Sequence, residues 1–522
     1  MGSDASSQIL PPLCVVKWEL MKKYICIHGH FYQPPRENPW TGEVDVEESA
    51  KPYHDWNERI AKECYEPNTK ASILDASGQV TESVNNFSKI SFDIGPTLLS
   101  WLRRKDPKTY QAILAADRES ALKHNGHGNA MAQIYNHVIM PLCDRRDKIT
   151  QVVWGIKDFE FHYKRKPEGM WLSEAAVDRE TLSILAENGI LFTVLAPHQA
   201  LSVRRVGFNQ RWHPVRNENV DSRHPYRILL RHGKQFHIFF YDAPISRAIA
   251  FQGLLNNGDQ LTQKLLNAFG RNESSQLVST ATDGESFGHH HRFGEMAIAY
   301  GVKKIEKENL AVITNYADFL ENSVSRWEVA LHENSSWSCS HGVERWRADC
   351  GCRINHAPGW NQKWRATLRL AFDTVKKTAD HVFETQTESF LKDPWQARND
   401  YIEVILDPSE AVRKNFLSRQ CKKTINTEDQ NKLWRLLEAQ RFTLFMYTSC
   451  AWFFDDIAGV EPVQMMKYAL RAMELLQPYS PPGMEAAFLK VLSHAKSNAP
   501  EEGSGADVFE RHVRTARPVS LK

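Results

Sequence analysis

A parallel α/β architecture followed by an α-helical domain is what the sequence predicts, on three observations. Short apolar runs alternate with helical patterns up to about residue 355, the signature of strands and helices taking turns in a parallel sheet. Polar residues gather at the carboxyl ends of those runs, the end that carries the active site in an α/β barrel. Beyond residue 355 the strand signals fade and the pattern becomes helical.

"YICI" (24–27) is a buried-strand run that empties into "HGHFYQPP". The stretch 94–122 is helical, and "QVVWGIKDFEFHYKRKPEGMWLSEAAV" is expected to form a helix and then a strand ending near Glu174. "DRETLSILAENG" (178–189) is a compact helix, with Asp178 near its start and Gly189 just past its end. Three further strands exit at His198 ("ILFTVLAPHQ"), at Asp242 ("QFHIFFYDAP") and at Asp283 ("SQLVSTATDG"). Three amphipathic stretches, "WNQKWRATLRLAFDTVKKTADHVFETQ", "NKLWRLLEAQRFTLFMYTSCAWFFDDIAG" and "VQMMKYALRAMELLQ", make a helical domain. The expected divisions are an N-terminal extension at 1–20, a catalytic region at 21–354, the helical domain at 355–493 and a polar, mobile tail at 494–522.

With 522 residues the chain is too long for one small core. A formal net charge of +2 gives no support to nucleic acid as the main partner. No apolar run is long enough to span a bilayer, and the first twenty residues do not read as a secretory signal. Nine scattered cysteines suggest free thiols in a reducing compartment, so a cytoplasmic location is expected.

Two carboxylates stand out. Glu174 ends "GMWLSE" beside Trp171, and Asp283 opens "DGESFGHHH". Alone, each could be a surface charge or a helix cap. Together, at strand exits among aromatic and histidine neighbours, they fit retaining glycoside hydrolysis. One carboxylate attacks the anomeric carbon, and the other protonates the leaving oxygen and then activates water. Glu285, two residues after Asp283, is expected to point the same way in an extended chain. His28 and His30 alternate at a strand end and could bond sugar hydroxyls or, with a third ligand from His289–His291, hold a metal. Cys339, His341, Cys350 and Cys352 form a C-x-H-x8-C-x-C cluster. Its spacing is not a standard zinc or iron–sulfur pattern, so packed thiols under a loop are expected. Trp452, in "TSCAWFFDD", either packs in a helix end or stacks on substrate.

These motifs resemble those of the family 57 glycoside hydrolases, which act mostly on α-glucans, and most of all the subgroup with a C-terminal domain of unknown function. The likeness runs from about residue 22 to the end. "HGHFYQP" supplies His28, His30 and Gln33; "YNHVIMPL" supplies His137; "WLSE" supplies Trp171 and the nucleophile Glu174; "DGESFGH" supplies the acid/base Asp283 with Glu285 and His289; Trp452 is a loose match to a stacking tryptophan. The second region lacks the acidic residue often found there. The resemblance implies an incomplete seven-stranded (β/α) barrel, a helical domain closing over it, and anomeric retention. It does not imply one substrate, since members include α-amylases, glucanotransferases, branching enzymes and an α-galactosidase activity.

The reading is therefore a retaining glycosidase or transglycosylase on an α-glucan or oligosaccharide, with no cofactor and no metal in the chemistry. His28, His30, His137 and Trp171 would hold the sugar, with His198 and Asp242 as further candidates. The rivals are a metal-dependent polysaccharide deacetylase on a similar barrel and a glucan-binding protein without turnover.

Overall fold

The computed structural model describes residues 22–271, 275–355 and 357–517; the expected extension at 1–20 lies outside them. Seven strands make the barrel circuit: β1 (Lys23–Phe31), β2 (Ser91–Ile94), β3 (Ala130–Gln133), β4 (Met170–Trp171), β5 (Phe192–Leu195), β6 (Gln235–Phe240) and β7 (Gln276–Asp283). β7, β1, β2, β3 and β4 pair in parallel in that order, and β5 pairs in parallel with β6. A parallel bridge between Gly169 and Phe192 joins β4 to β5. The circuit is open between β6 and β7, where the Asp242 amide donates to the Ser279 carbonyl (2.7 Å). The fold is thus an incomplete (β/α) barrel, and its parallel strand pairing places the strands' carboxyl ends on one face.

Register carries the site residues to that face. His28 pairs with Ser91, and His30 with both Asp93 and Asp283. β1 is buried along nearly its whole length, as the apolar run predicts. The helix read from "DRETLSILAENG" is Arg179–Glu187, capped by the Asp178 carboxylate on the Thr181 amide (2.7 Å). Beside β6 sits a small mixed extension formed by Tyr226–Leu229, Trp327–Leu331, Ala200–Arg205 and His213–Pro214, antiparallel except where the first two strands pair in parallel.

From Trp364 onward the chain is helical. The longest helices are α1 (Trp364–Thr387), α2 (Thr427–Phe445) and α3 (Val460–Leu476). Their buried faces share one apolar cluster with Tyr135, Ile139 and Trp154 of the barrel region. Trp154 donates its indole N–H to the Asn399 carbonyl (3.0 Å), and Arg398 pairs with Asp147 at 2.8 Å. The segment expected to be a mobile tail is packed through residue 517: Val508, Phe509 and Val513 are fully buried against this cluster. Its apolar residues recur at helical spacing, a signal masked by the charged residues between them. Among the described residues no helix is long and apolar enough to cross a membrane.

Candidate active site

Glu174 lies just past β4 in a tight turn, with φ of 57°; Ala175 follows at 48°. Left-handed backbone costs a non-glycine residue on the order of 1–2 kcal/mol. The surroundings hold it there. The Glu174 carbonyl accepts from the Trp337 amide (2.9 Å), and the Ala175 carbonyl from Gln199 Nε2 (2.8 Å). The Glu174 carboxylate accepts from the Trp337 indole (3.0 Å) and the Ser338 hydroxyl (2.5 Å), both through Oε2. Burial raises its pKa, Ser338 works against that, and repulsion from Asp283 raises it further.

Asp283 ends β7 and is exposed to water, yet enclosure by protein is the largest influence raising its pKa. A 3-10 turn, Gly284–Ser286, follows Asp283, and its first residue packs so close to Phe31 that a Cβ there would come within 2.4 Å of the ring. That turn corrects the expectation that Asp283 and Glu285 point alike. Glu285 is buried, and its Oε1 accepts from the Tyr65 hydroxyl (2.5 Å) and the Tyr32 amide (3.2 Å). Burial lifts its pKa to about 7.

Asp93, on β2, is the centre of the polar network, and it was not among the sequence candidates. Its Oδ1 meets His28 Nε2 (3.0 Å) and its Oδ2 meets His30 Nδ1 (2.8 Å). Burial opposes its ionisation, but the two imidazoles hold its pKa below the usual value. Burial likewise opposes charge on His30, yet Asp93, Asp283 and Glu285 lift it to about 9. Burial lowers the pKa values of His28 and His137. At neutral pH this assigns the protons. His30 is an imidazolium donating to Asp93 and, through Nε2, to His137 Nε2 (3.2 Å). His137 is neutral and donates from Nδ1 to Ser449 Oγ (2.6 Å). His28 donates to Asp93 and accepts from the Ser91 hydroxyl (3.0 Å).

All six ring nitrogens of the three histidines are thus engaged, and all three rings are buried. The expectation that they bond sugar hydroxyls is corrected: they fix a positive charge behind Asp283. Trp171 is also corrected as a sugar contact. It is 0% exposed and stacks behind His28 and His30, at centroid separations of 4.9 and 5.1 Å. Trp337, packed edge-on to Trp171 at 5.1 Å, and Tyr32, stacked on His137 at 3.8 Å, are the partly exposed aromatics here.

The remaining candidates have other duties. His198 donates from Nε2 to the Ser336 carbonyl (2.8 Å) and thereby holds the Trp337 loop. Asp242 caps the helix Ala243–Phe251 through the Ile245 amide (2.9 Å). Gln33 donates to the Tyr32 carbonyl (3.1 Å), and His289 turns away to Glu63. Trp452 is 0% exposed, donates to the Arg365 carbonyl (3.0 Å) and packs on Phe372, so it has no face with which to stack on substrate. Its neighbours do the reaching: Ser449 holds His137, and Cys450 approaches the Tyr32 hydroxyl at 3.7 Å.

Asp93→Asn removes the counter-charge from a buried imidazolium. It is expected to cost about 3 kcal/mol or more and to lower the thermal unfolding midpoint, as differential scanning calorimetry would register; an unchanged midpoint would contradict the pairing.

The model of Glycosyl hydrolase family 57 matches residues 24–327, more than half of the chain. The chain belongs to glycoside hydrolase family 57. A second family model, Domain of unknown function (DUF3536), matches residues 360–522. Among solved structures of the family's fold, the exo-type maltose-forming amylase of Pyrococcus sp. ST04 superposes with a TM-score of 0.66 at 17% identity, covering 94% of this chain and 88% of that one. The family 57 branching enzyme of Pyrococcus horikoshii gives a TM-score of 0.54 at 15% identity, covering 95% and 97%. Alpha-amylase 1 of Dictyoglomus thermophilum is 23% identical over 223 residues, 42% of this chain; the match spans 29% of that relative's length.

Proposed function

We propose that this family 57 chain is a retaining glycoside hydrolase or transglycosylase acting on α-1,4 or α-1,6 linkages of α-glucans. Glu174 is the nucleophile and Asp283 the acid/base. The observation that carries this is the pair itself: two carboxylates at the carboxyl ends of parallel barrel strands β4 and β7, in unlike surroundings. Glu174 accepts from two donors that favour its ionised form. Asp283 has burial and the Asp93 charge favouring its protonated form, against His30. Burial raises both pKa values, but Glu174 alone of the two has hydrogen-bond donors that resist the rise, the kind of asymmetry a nucleophile beside a proton donor needs. The amylase and branching-enzyme names of the structural relatives agree with the substrate class.

The metal-dependent deacetylase reading requires His28 or His30 to offer a lone pair to an ion, and their nitrogens are committed to Asp93, Ser91 and His137. Product analysis on maltooligosaccharides and amylose tests the proposal. Shorter chains signify hydrolysis; redistributed lengths or new branches signify transfer. Binding without turnover would contradict it.

Ser338→Ala removes one of the two donors that lower the Glu174 pKa. The free-enzyme pKa of Glu174 then rises, and the acid limb of kcat/KM against pH is expected to move to higher pH. A limb that stays in place would separate Glu174 from that ionisation.

A further inference from the structure

We propose that Cys339, His341, Cys350 and Cys352 form a four-coordinate zinc site that pins the Trp337–Ser338 loop onto Glu174. This revises the expectation of merely packed thiols, and it stands apart from the glycosidase reading. One ligand atom from each of the four residues lies within 4.8 Å of all the others. Cys339 Sγ is 3.9 Å from Cys350 Sγ and 3.8 Å from Cys352 Sγ, and Cys352 Sγ is 3.6 Å from His341 Nδ1. Zinc bonds of about 2.3 Å to sulfur and about 2.0–2.1 Å to nitrogen give tetrahedral edges of about 3.8 and about 3.6 Å. The sulfurs are far outside disulfide length, about 2.05 Å, and three thiols cannot all be satisfied by one disulfide. A Cys3His set is a standard structural zinc donor set, and the soft thiolates disfavour magnesium or calcium.

The sequence spacing is unusual because the fold, rather than a short knuckle, brings the two halves together. Gly351 sits at φ 82°, which an L side chain rarely adopts, and this turns Cys350 and Cys352 toward one point. Among the described residues of 332–363 there is no regular element beyond the short 3-10 turn Glu344–Trp346. A bound ion is an efficient way to close such a segment. Three thiolates, a neutral imidazole and a divalent ion leave a net charge of −1. The buried Arg365 guanidinium, donating to the Cys352 carbonyl (2.9 Å), offsets it. Arg345 donates to the Ser338 carbonyl (3.2 Å) from the same segment. Ser338 adjoins the Cys339 ligand and donates to Glu174, so the ion and the carboxylate share one short piece of chain.

The full-length chain, purified from zinc-supplemented medium, is expected to carry about one zinc per chain by elemental analysis, and Cys350→Ser and Cys352→Ser are expected to carry almost none. The metal-stripped wild type titrated with cobalt(II) should develop tetrahedral and thiolate charge-transfer bands that saturate at about one equivalent. That measurement decides the matter even if the serine variants do not fold. Trypsin should cut the stripped chain first within 332–363, at Arg347 or Arg353, and cut the zinc-loaded chain there far more slowly. Absence of zinc with no cobalt spectrum, an intact-mass loss of two hydrogens marking a disulfide, or stoichiometric iron with sulfide would overturn the zinc site. Equal cleavage of the stripped and loaded chains would overturn the pinning.

Discussion

Glu174→Gln is expected to lower kcat on α-glucan by on the order of 10⁶-fold, the scale seen when a covalent nucleophile is removed. Glutamine is nearly isosteric and can still bond the Ser338 hydroxyl, so the strained turn and the loop above it should persist. What disappears is the attacking oxygen. Glu174→Ala leaves room for an external nucleophile, and azide should restore turnover and yield a glycosyl azide of inverted anomeric configuration. Activity of Glu174→Gln near that of the unsubstituted enzyme would remove Glu174 from the nucleophile role.

Asp283→Asn is expected to cost on the order of 10²–10⁴-fold, the range of general acid catalysis, and the loss should depend on the leaving group. An aryl glycoside with a strongly acidic phenol needs little protonation, so formation of the glycosyl-enzyme should be nearly spared. Its breakdown, which needs a base, should then accumulate the intermediate as a burst. The alkaline limb of the pH profile should vanish with the acid. The sign follows from the mechanism: Asp283 must enter protonated, so activity falls as pH rises through its pKa. A uniform loss across leaving groups, with the alkaline limb intact, would assign the proton to another residue.

The strand-and-helix alternation was legible because buried parallel strands read as short apolar runs, and five of the seven barrel strands have such runs or motifs at their ends. β2 and β3 were not singled out. Each is only four residues long, and β2 carries Asp93 in its middle. That aspartate was the available signal: an acid inside "ISFDIG" must be paired if the strand is buried. The positions of Glu174 and Asp283 could be read locally, but their supports could not. Trp337 and Ser338 are more than 160 residues from Glu174 in sequence, and nothing in "SSWSCS" says which carboxylate it will meet. Trp171 and Trp452 show the converse limit. A tryptophan near a motif looks like a sugar platform, and only packing reveals that Trp171 backs the histidines and Trp452 anchors the turn presenting Ser449. The four-residue sulfur and imidazole cluster failed the spacing test because spacing rules describe compact knuckles, not ligands assembled by tertiary structure.

The most direct test is to trap the covalent intermediate. Inactivation with a 5-fluoro-α-glucosyl fluoride, digestion and peptide mass spectrometry should place one glycosyl group on the peptide containing Glu174, at the glutamate itself. A glycosyl group on a different carboxylate, or inversion of anomeric configuration in the product with no trapped species, would contradict the account.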